Sequence, residues 1–183
     1  MAFNPIEHKI AQALSAFPRI KEGIKWMYQW VNRMVYKPNK EYTSRFDVKP
    51  VFNGSGNTFY GYYDRSPQNS EQDWILFHRT NSDTSSAPQL NSEIEVVLWD
   101  LKNQKELYSG TTRAYNWQQG SRLIWLDSES FIFNDFINNE LCSRIVDANT
   151  RVEKKRLPFP IYDAHQQKAV SLNFSRLMAF DSD

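Results

Sequence analysis

The segments VVLWDLKNQKEL, residues 96–107, and SRIVDANTRVEK, residues 143–154, decide the predicted fold of this chain. In each segment an apolar, strand-like run ends in an aspartate, a polar turn follows, and a charged run comes next. The two aspartates, Asp100 and Asp147, lie forty-seven residues apart. A period of this length, with short strands and a strand-end aspartate, is typical of WD40-like β-propeller blades.

The strands ahead of these segments extend the repeat. WILFH at 74–78 is predicted to correspond to FIFND at 131–135, and AVSLNF at 169–174 to belong to a third copy. The Ser- and Asn-rich stretch at 79–93 predicts a hairpin insertion. From about residue 50 onward, short aromatic and β-branched runs follow one another with no room for a helical crossover, which predicts antiparallel sheets.

The fold predicted for residues 50–183 is all-β. It consists of antiparallel four-stranded blades 1 and 2 of a partial β-propeller, followed by the start of blade 3. Because a propeller typically closes with four to eight blades, these residues are expected either to be a fragment of a longer protein or to assemble. The fragment is the favoured expectation.

Residues 1–49 are predicted to be a separate, amphipathic helical segment. Asn4 and Pro5 provide a start signal for a first helix, and a second helix is predicted from about Pro18 to Tyr36. The second helix carries an apolar stripe beside Trp, Tyr, Lys and Arg residues, which is typical of helices that lie on membranes. Two interpretations stay open: the stripe packs on the body of the protein, or residues 18–37 make peripheral contact with a membrane.

Composition excludes several classes of protein. One cysteine, Cys142, rules out a disulfide scaffold, and a net charge of +1 gives no global attraction to nucleic acid. The sequence shows no signal peptide and no apolar run long enough for a membrane span. We therefore expect a cytoplasmic location, and the alternative is a peripheral location at the inner membrane. Neither a metal nor a cofactor is predicted; the D-x-D pattern at 181–183 is only a weak match to a metal-binding motif.

Three segments combine aromatic and polar residues in a way that a solvated turn does not require: FYGYYDRSP, TRAYNWQQG and FNDF. Aromatic rings cover the apolar faces of sugars, and amide and guanidinium groups satisfy the hydroxyls. The predicted ligand-binding residues are Tyr62, Tyr63, Arg65, Arg113, Asn116, Trp117, Gln118, Gln119 and Asn134. Asp64 and Asp135 are the candidate catalytic acid and base. In the structural alternative, both aspartates cap turns and Arg113 pairs with one of them.

Five segments in order, GYYDRSP, TRAYNWQQG, FNDF, LPFPIY and SLNFSRL, resemble a family of bacterial β-propeller proteins found with capsule and surface-polysaccharide biosynthesis. Members of that family are often labelled glycosyltransferases. The resemblance spans about residues 50–177 and implies a polysaccharide context, with a glycan or a nucleotide-sugar as partner. The leading expectation is a glycan-binding module. The alternatives are a carbohydrate-active enzyme, glycosyltransferase or glycoside hydrolase, and a protein-interaction scaffold.

Overall fold

The computed structural model describes residues 18–35, 44–69, 71–165, 168–174 and 176. The chain divides into two compact units, Met1–Lys49 and Pro50–Asp183. The predicted first helix, which would start at Asn4, and the D-x-D pattern at 181–183 lie outside the described residues.

The first unit contains helix α1, Pro18–Val35, which confirms the second predicted helix. Pro18 suits the first helical position because that residue's N–H has no partner within the helix. The apolar side chains of α1 are exposed, including Met27 at 56% and Val31 at 44%. Within the described ranges no helix combines the length and the apolar character needed to cross a bilayer.

Strands dominate the described part of the second unit. Their short lengths follow from the Asn, Asp, Ser and Gly residues that interrupt the apolar runs. The strands are β1 (Asn57–Phe59), β2 (Gln68–Asn69), β3 (Trp74–Thr80), β4 (Ile94–Asp100), β5 (Lys105–Thr112), β6 (Ile124–Trp125), β7 (Ser130–Ile137), β8 (Glu140–Asp147), β9 (Glu153–Leu157), β10 (Asp163–His165) and β11 (Lys168–Val170).

Each strand pairs antiparallel with its neighbours. The first sheet has the order β1-β3-β4-β5, with β2 also paired to β3; the second sheet has the order β6-β7-β8-β9, and β10 pairs with β11. The predicted β-rich architecture, with antiparallel four-stranded sheets and a helix earlier in the chain, is therefore confirmed. The described residues contain no closed ring of sheets.

The two sheets repeat each other in detail. Strands β4 and β8 both end in the predicted aspartate, and each aspartate accepts backbone hydrogen bonds from the following turn: Asp100 from Asn103 at 2.8 Å, and Asp147 from Thr150 at 2.8 Å. A register shift occurs one residue before each aspartate, between Leu98 and Trp99 and between Ile145 and Val146. Equivalent bulges at equivalent positions support the repeat.

The strand pairing corrects one detail of the predicted repeat. Trp74 pairs with Asp100, whereas Ser130 pairs with Asp147. Trp74 therefore corresponds to Ser130, and the predicted match of Trp74 with Phe131 is wrong by one residue. The prediction paired apolar residues with apolar residues, but β7 begins with a buried serine whose hydroxyl donates to Asp127 at 2.7 Å.

The two sheets share one core. Residues from both form a single buried cluster, composed of Leu76, Val96, Leu98, Leu107, Leu123, Phe131, Phe133, Val146 and Ala148. Burial of large side chains such as Phe131 and Phe133 supplies much of the stabilisation of the fold. Each contributes about 2 kcal/mol or more, because its apolar surface is removed from water. The two sheets therefore belong to one folded body, and β5 of the first sheet contacts β7 of the second.

One position of the corrected repeat carries a buried polar side chain in both sheets: His78 in β3 and Asn134 in β7. The His78 Nε2 atom accepts a hydrogen bond from the Ser121 N–H at 3.2 Å. The Asn134 amide donates to the Ile161 carbonyl at 2.8 Å and accepts from the Ile161 N–H at 2.7 Å. Each side chain thus fastens its sheet to the backbone that leads into the next repeat unit.

Candidate functional site

The segment TRAYNWQQG, 112–120, leads from the end of β5, an edge strand of the first sheet, to β6, an edge strand of the second sheet. Its turn is closed by reciprocal backbone hydrogen bonds between Asn116 and Gly120. The Asn116 side chain accepts from the Gln118 and Gln119 N–H groups at 3.0 and 2.7 Å. Gly120 has a φ of +60°, and a Cβ there would lie 2.4 Å from the His78 ring. The turn is therefore built directly against His78.

Trp117 is half-buried and is engaged by its neighbours. Its Nε1–H donates to the Ser86 carbonyl at 2.6 Å, and its ring centroid lies 5.7 Å from that of Phe59 and 5.2 Å from that of Tyr115. Tyr115 in turn shares a hydroxyl hydrogen bond with Ser92. Both contacts hold the insertion at 79–93 against this turn, so the aromatic residues here have a visible structural role.

Arg113 and Asp135 lie together at the ends of β5 and β7 but do not form a side-chain pair. The Arg113 guanidinium pairs with Glu93 at 2.6 Å, while its backbone N–H donates to Asp135 at 3.2 Å. Asp135 is buried and is held by Arg144 at 3.1 Å. A polar cavity of about 270 Å³ is lined by Glu93, Arg113 and Asp135.

A second charged group, which we call the arginine cluster, consists of Asp64, Arg65, Arg122, Tyr162 and Asp163. Arg65 contacts both carboxylate oxygens of Asp163 at 2.6 Å. Arg122 donates from Nε to the Tyr162 carbonyl at 2.6 Å, lies 3.4 Å from Asp64, and places its guanidinium 4.6 Å from the centroid of the Tyr162 ring. Its side chain is only 7% exposed.

The arginine cluster joins the two large sheets and the β10–β11 pair. Arg65 precedes β2, Arg122 precedes β6, and Asp163 begins β10. The strand registers place Arg65 and Arg122 at the same position of the repeat, because Gln68 pairs with Ile75 as Trp125 pairs with Phe131. Equivalent arginines of the two sheets therefore both contact the segment 162–163, which leads into β10.

Tyr62 and Tyr63 adjoin the arginine cluster in sequence. Their rings are stacked, with centroids 5.0 Å apart and an angle of 24° between planes, and Tyr63 is 92% exposed. Gly61 has a φ of +131°, and a Cβ there would lie 2.6 Å from the Gln119 carbonyl. The backbone of GYYDRSP thus packs against the end of TRAYNWQQG, which brings two of the three predicted segments together.

Tyr60 fixes the start of this segment. Its hydroxyl donates to the Leu123 carbonyl at 2.8 Å, and burial raises its pKa to about 12, so the phenol stays protonated at neutral pH. Because Leu123 follows Arg122 directly, this hydrogen bond holds the GYYDRSP segment beside the arginine cluster. The exposed Tyr63 ring is therefore carried by a backbone that is anchored on both sides.

The predicted carboxylates, Asp64 and Asp135, have different partners. Asp64 is 45% exposed in its side chain and faces Arg122, while Asp135 is buried with Arg144. No hydrogen bond or shared arginine joins the two carboxylates in the part of the chain that the structure describes. Over the same residues, no group of three or more His, Cys, Asp or Glu side chains is arranged to hold a metal ion.

Sequence reasoning missed Arg122, Tyr162 and Asp163. The signal for Arg122 was present in the repeat, since DRSP at 64–67 and SRLI at 121–124 carry arginine at the same position. It was hidden by the low similarity of the flanking residues. Asp163 had no comparable signal, because its pairing with Arg65 spans ninety-eight residues and depends on how the units pack.

Comparison of the chain with protein-family models, with curated proteins and with solved structures finds no match. The family resemblance of the five sequence segments thus stays a prediction.

Proposed function

We propose that the chain is a β-propeller module that binds a glycan or a glycan precursor during bacterial surface-polysaccharide assembly. In this proposal the two sheets are successive blades, and β10 and β11 open a third. The propeller is supported by the matching bulges, the matching strand-end aspartates and the equivalent positions of His78 and Asn134. The link from the outer strand β5 to the inner strand β6 is the connection that successive blades use.

The inner strands of a propeller surround its central channel. With β2, β6 and β10 as inner strands, the arginine cluster would lie at one mouth of that channel. Arginines and aspartates from successive units would then offer donors and acceptors around a shared opening. A glycan, with many hydroxyl groups and few charges, suits such an alternating set.

The observation that carries the proposal is the stacked pair Tyr62 and Tyr63 beside this cluster. Tyr63 is 92% exposed and lies in a segment whose backbone is anchored through Tyr60 and Gly61. An exposed, preorganised aromatic ring covers the C–H face of a pyranose at little cost in conformational entropy. The adjacent Asp64 has a partly exposed carboxylate that can accept sugar hydroxyls.

The polysaccharide context rests on the family resemblance. The two ligand classes proposed, a glycan and a nucleotide-sugar, rest on it as well. The enzyme alternative has weaker support from the geometry, since Asp64 and Asp135 are engaged by different arginines. Glycoside cleavage needs two carboxyl groups that flank one bond. If activity is found on any saccharide, Asp64→Asn and Asp135→Asn should both abolish it for that alternative to hold.

A glycan array with the full chain tests the proposal, using Tyr63→Ala and Tyr63→Phe as a matched pair. Tyr63→Ala removes the exposed ring and should lower affinity for the selected saccharide roughly tenfold, about 1.4 kcal/mol. Tyr63→Phe keeps the ring and should retain most of the affinity. Absence of binding to every saccharide, together with recovery of a protein partner, would favour the scaffold alternative.

A further inference from the structure

Helix α1 carries an apolar sector whose composition differs sharply from that of the opposite face. With about 100° per residue, the residues Ile20, Gly23, Ile24, Met27, Tyr28, Trp30, Val31, Met34 and Val35 fall within one sector of about 160°. The opposite face holds Glu22, Lys25, Gln29, Asn32 and Arg33, and Trp26 lies outside the apolar sector. The helix sequence contains four basic residues against the single acid Glu22.

The apolar sector is exposed to solvent. Trp30 is 48% exposed, Met34 62% and Ile24 42%, and the further aromatics Trp26 and Tyr28 are each 67% exposed. An apolar surface of this kind costs free energy in water and marks an interaction site when it is contiguous. Tryptophan and tyrosine are the residues that prefer the boundary between water and lipid.

We infer that α1 lies flat in the surface of a membrane that contains anionic lipid, with Ile24, Met27 and Val31 in the acyl region. The excess of basic residues complements anionic headgroups and would repel a basic surface. The sequence on either side of the helix has the same excess of basic residues. Residues 1–50 hold nine basic and four acidic residues, whereas residues 51–183 hold thirteen basic and seventeen acidic residues. A broad apolar face with cations opposite is the pattern of interfacial helices.

This inference is independent of the proposed glycan function. It concerns a different unit of the chain and uses residues that the glycan proposal does not. Together, the two proposals would hold a glycan-binding module near a membrane surface. Either can fail without the other.

Flotation of the full chain with vesicles tests the inference. One set of vesicles contains phosphatidylglycerol and phosphatidylcholine in equal parts, and the other contains phosphatidylcholine alone. The wild type should float with the anionic vesicles at low salt, and binding should fall as salt rises. Lys25→Glu with Arg33→Glu should weaken partitioning at least roughly tenfold, because each basic residue near the surface contributes measurably to the attraction.

The variant Ile24→Glu with Val31→Glu should weaken partitioning roughly a hundredfold, since it removes two buried side chains from the acyl region. Gln29→Ala, on the polar face, is the control and should float as the wild type does. Near-UV circular dichroism shows that each variant keeps its folded β unit. The inference is overturned if the wild type does not float with anionic vesicles, or if the glutamate variants float as well as the wild type. A loss of thermal stability in the Ile24→Glu, Val31→Glu variant without any flotation of the wild type would show that the sector packs on protein.

Discussion

His78 and Asn134 lie at equivalent positions of the two sheets and make equivalent hydrogen bonds with different side-chain groups. Both are buried, and both hydrogen-bond backbone groups at the start of the next unit, Ser121 and Ile161 respectively. Buried backbone N–H groups need hydrogen-bond partners. Ser121 and Ile161 lie outside the strands, so no neighbouring strand supplies these partners. A polar side chain at this position is therefore a structural requirement of the repeat, and the imidazole makes it sensitive to pH in the first sheet.

Burial lowers the pKa of His78 to about 4, from an ordinary value of 6.5. The unfolded chain binds a proton at His78 more readily than the folded chain does. The stability contributed by the neutral imidazole is therefore fully present above pH 6.5 and is lost as the pH falls from about 6.5 toward about 4. Over this pH range the free energy of unfolding falls by about 3 kcal/mol through His78.

The variant His78→Asn, which copies the second sheet, should remove this dependence. Urea unfolding between pH 4 and 7 should then give a shallower rise of the unfolding free energy with pH, by up to about 1.4 kcal/mol per pH unit. The variant should also be less stable at pH 7, because asparagine fills less of the buried site. An unchanged pH slope would contradict the neutral, buried state of His78.

Arg122 gives a second test of a single side chain. Arg122→Gln removes a buried guanidinium that donates to the Tyr162 carbonyl and packs on the Tyr162 ring. The unfolding free energy in urea should fall by about 2–3 kcal/mol. Arg156→Gln is the matched control: Arg156 is 46% exposed and its ion pair is with Glu153, so its loss should lower the unfolding free energy much less than the loss of Arg122 does. Equal effects of the two variants would mean that the arginine cluster does not join the units.

Among the elements, strand position could be predicted more securely than the residue-by-residue match between the two copies of the repeat. The runs WILFH and FIFND both lie in strands, because apolar and β-branched residues bounded by turn residues favour that state. The predicted match was wrong by one residue, since Ser130 is polar yet buried at the start of β7. Side-chain alternation has a period of two and says nothing about where a strand begins, so the serine's bond to Asp127 could not be read from the pattern.

Strands β10 and β11 should depend on Asn134 in β7. Asn134→Ala leaves the Ile161 N–H, the Ile161 carbonyl and the Ser143 hydroxyl without this partner. We expect a loss of at least about 2 kcal/mol of stability and faster amide hydrogen exchange at 161–165. Asn149→Ala, in an exposed turn, is the control and should leave exchange at 161–165 unchanged. Slow exchange in the Asn134→Ala variant would show that the third unit is held by other contacts.

For the molecule as a whole, the repeat predicted the β-rich, antiparallel architecture but only part of the candidate site. Tyr62, Tyr63 and Arg65 were predicted from an unusual local mixture of aromatic and charged residues, and they lie beside one another. Trp117 was predicted on the same grounds, but its indole N–H is used by Ser86. Arg122 and Asp163 complete the cluster from units that are distant in sequence, and only packing brings such residues together.

The most direct test of the central proposal is an amide NMR titration of the full chain with the saccharide selected on the glycan array. The largest shift changes should fall at Tyr62, Tyr63, Asp64 and Arg65, with smaller changes at Arg122, and Tyr63→Ala should suppress them. Shift changes centred on the Arg113 and Asp135 cavity, or no changes at saturating saccharide, would contradict it.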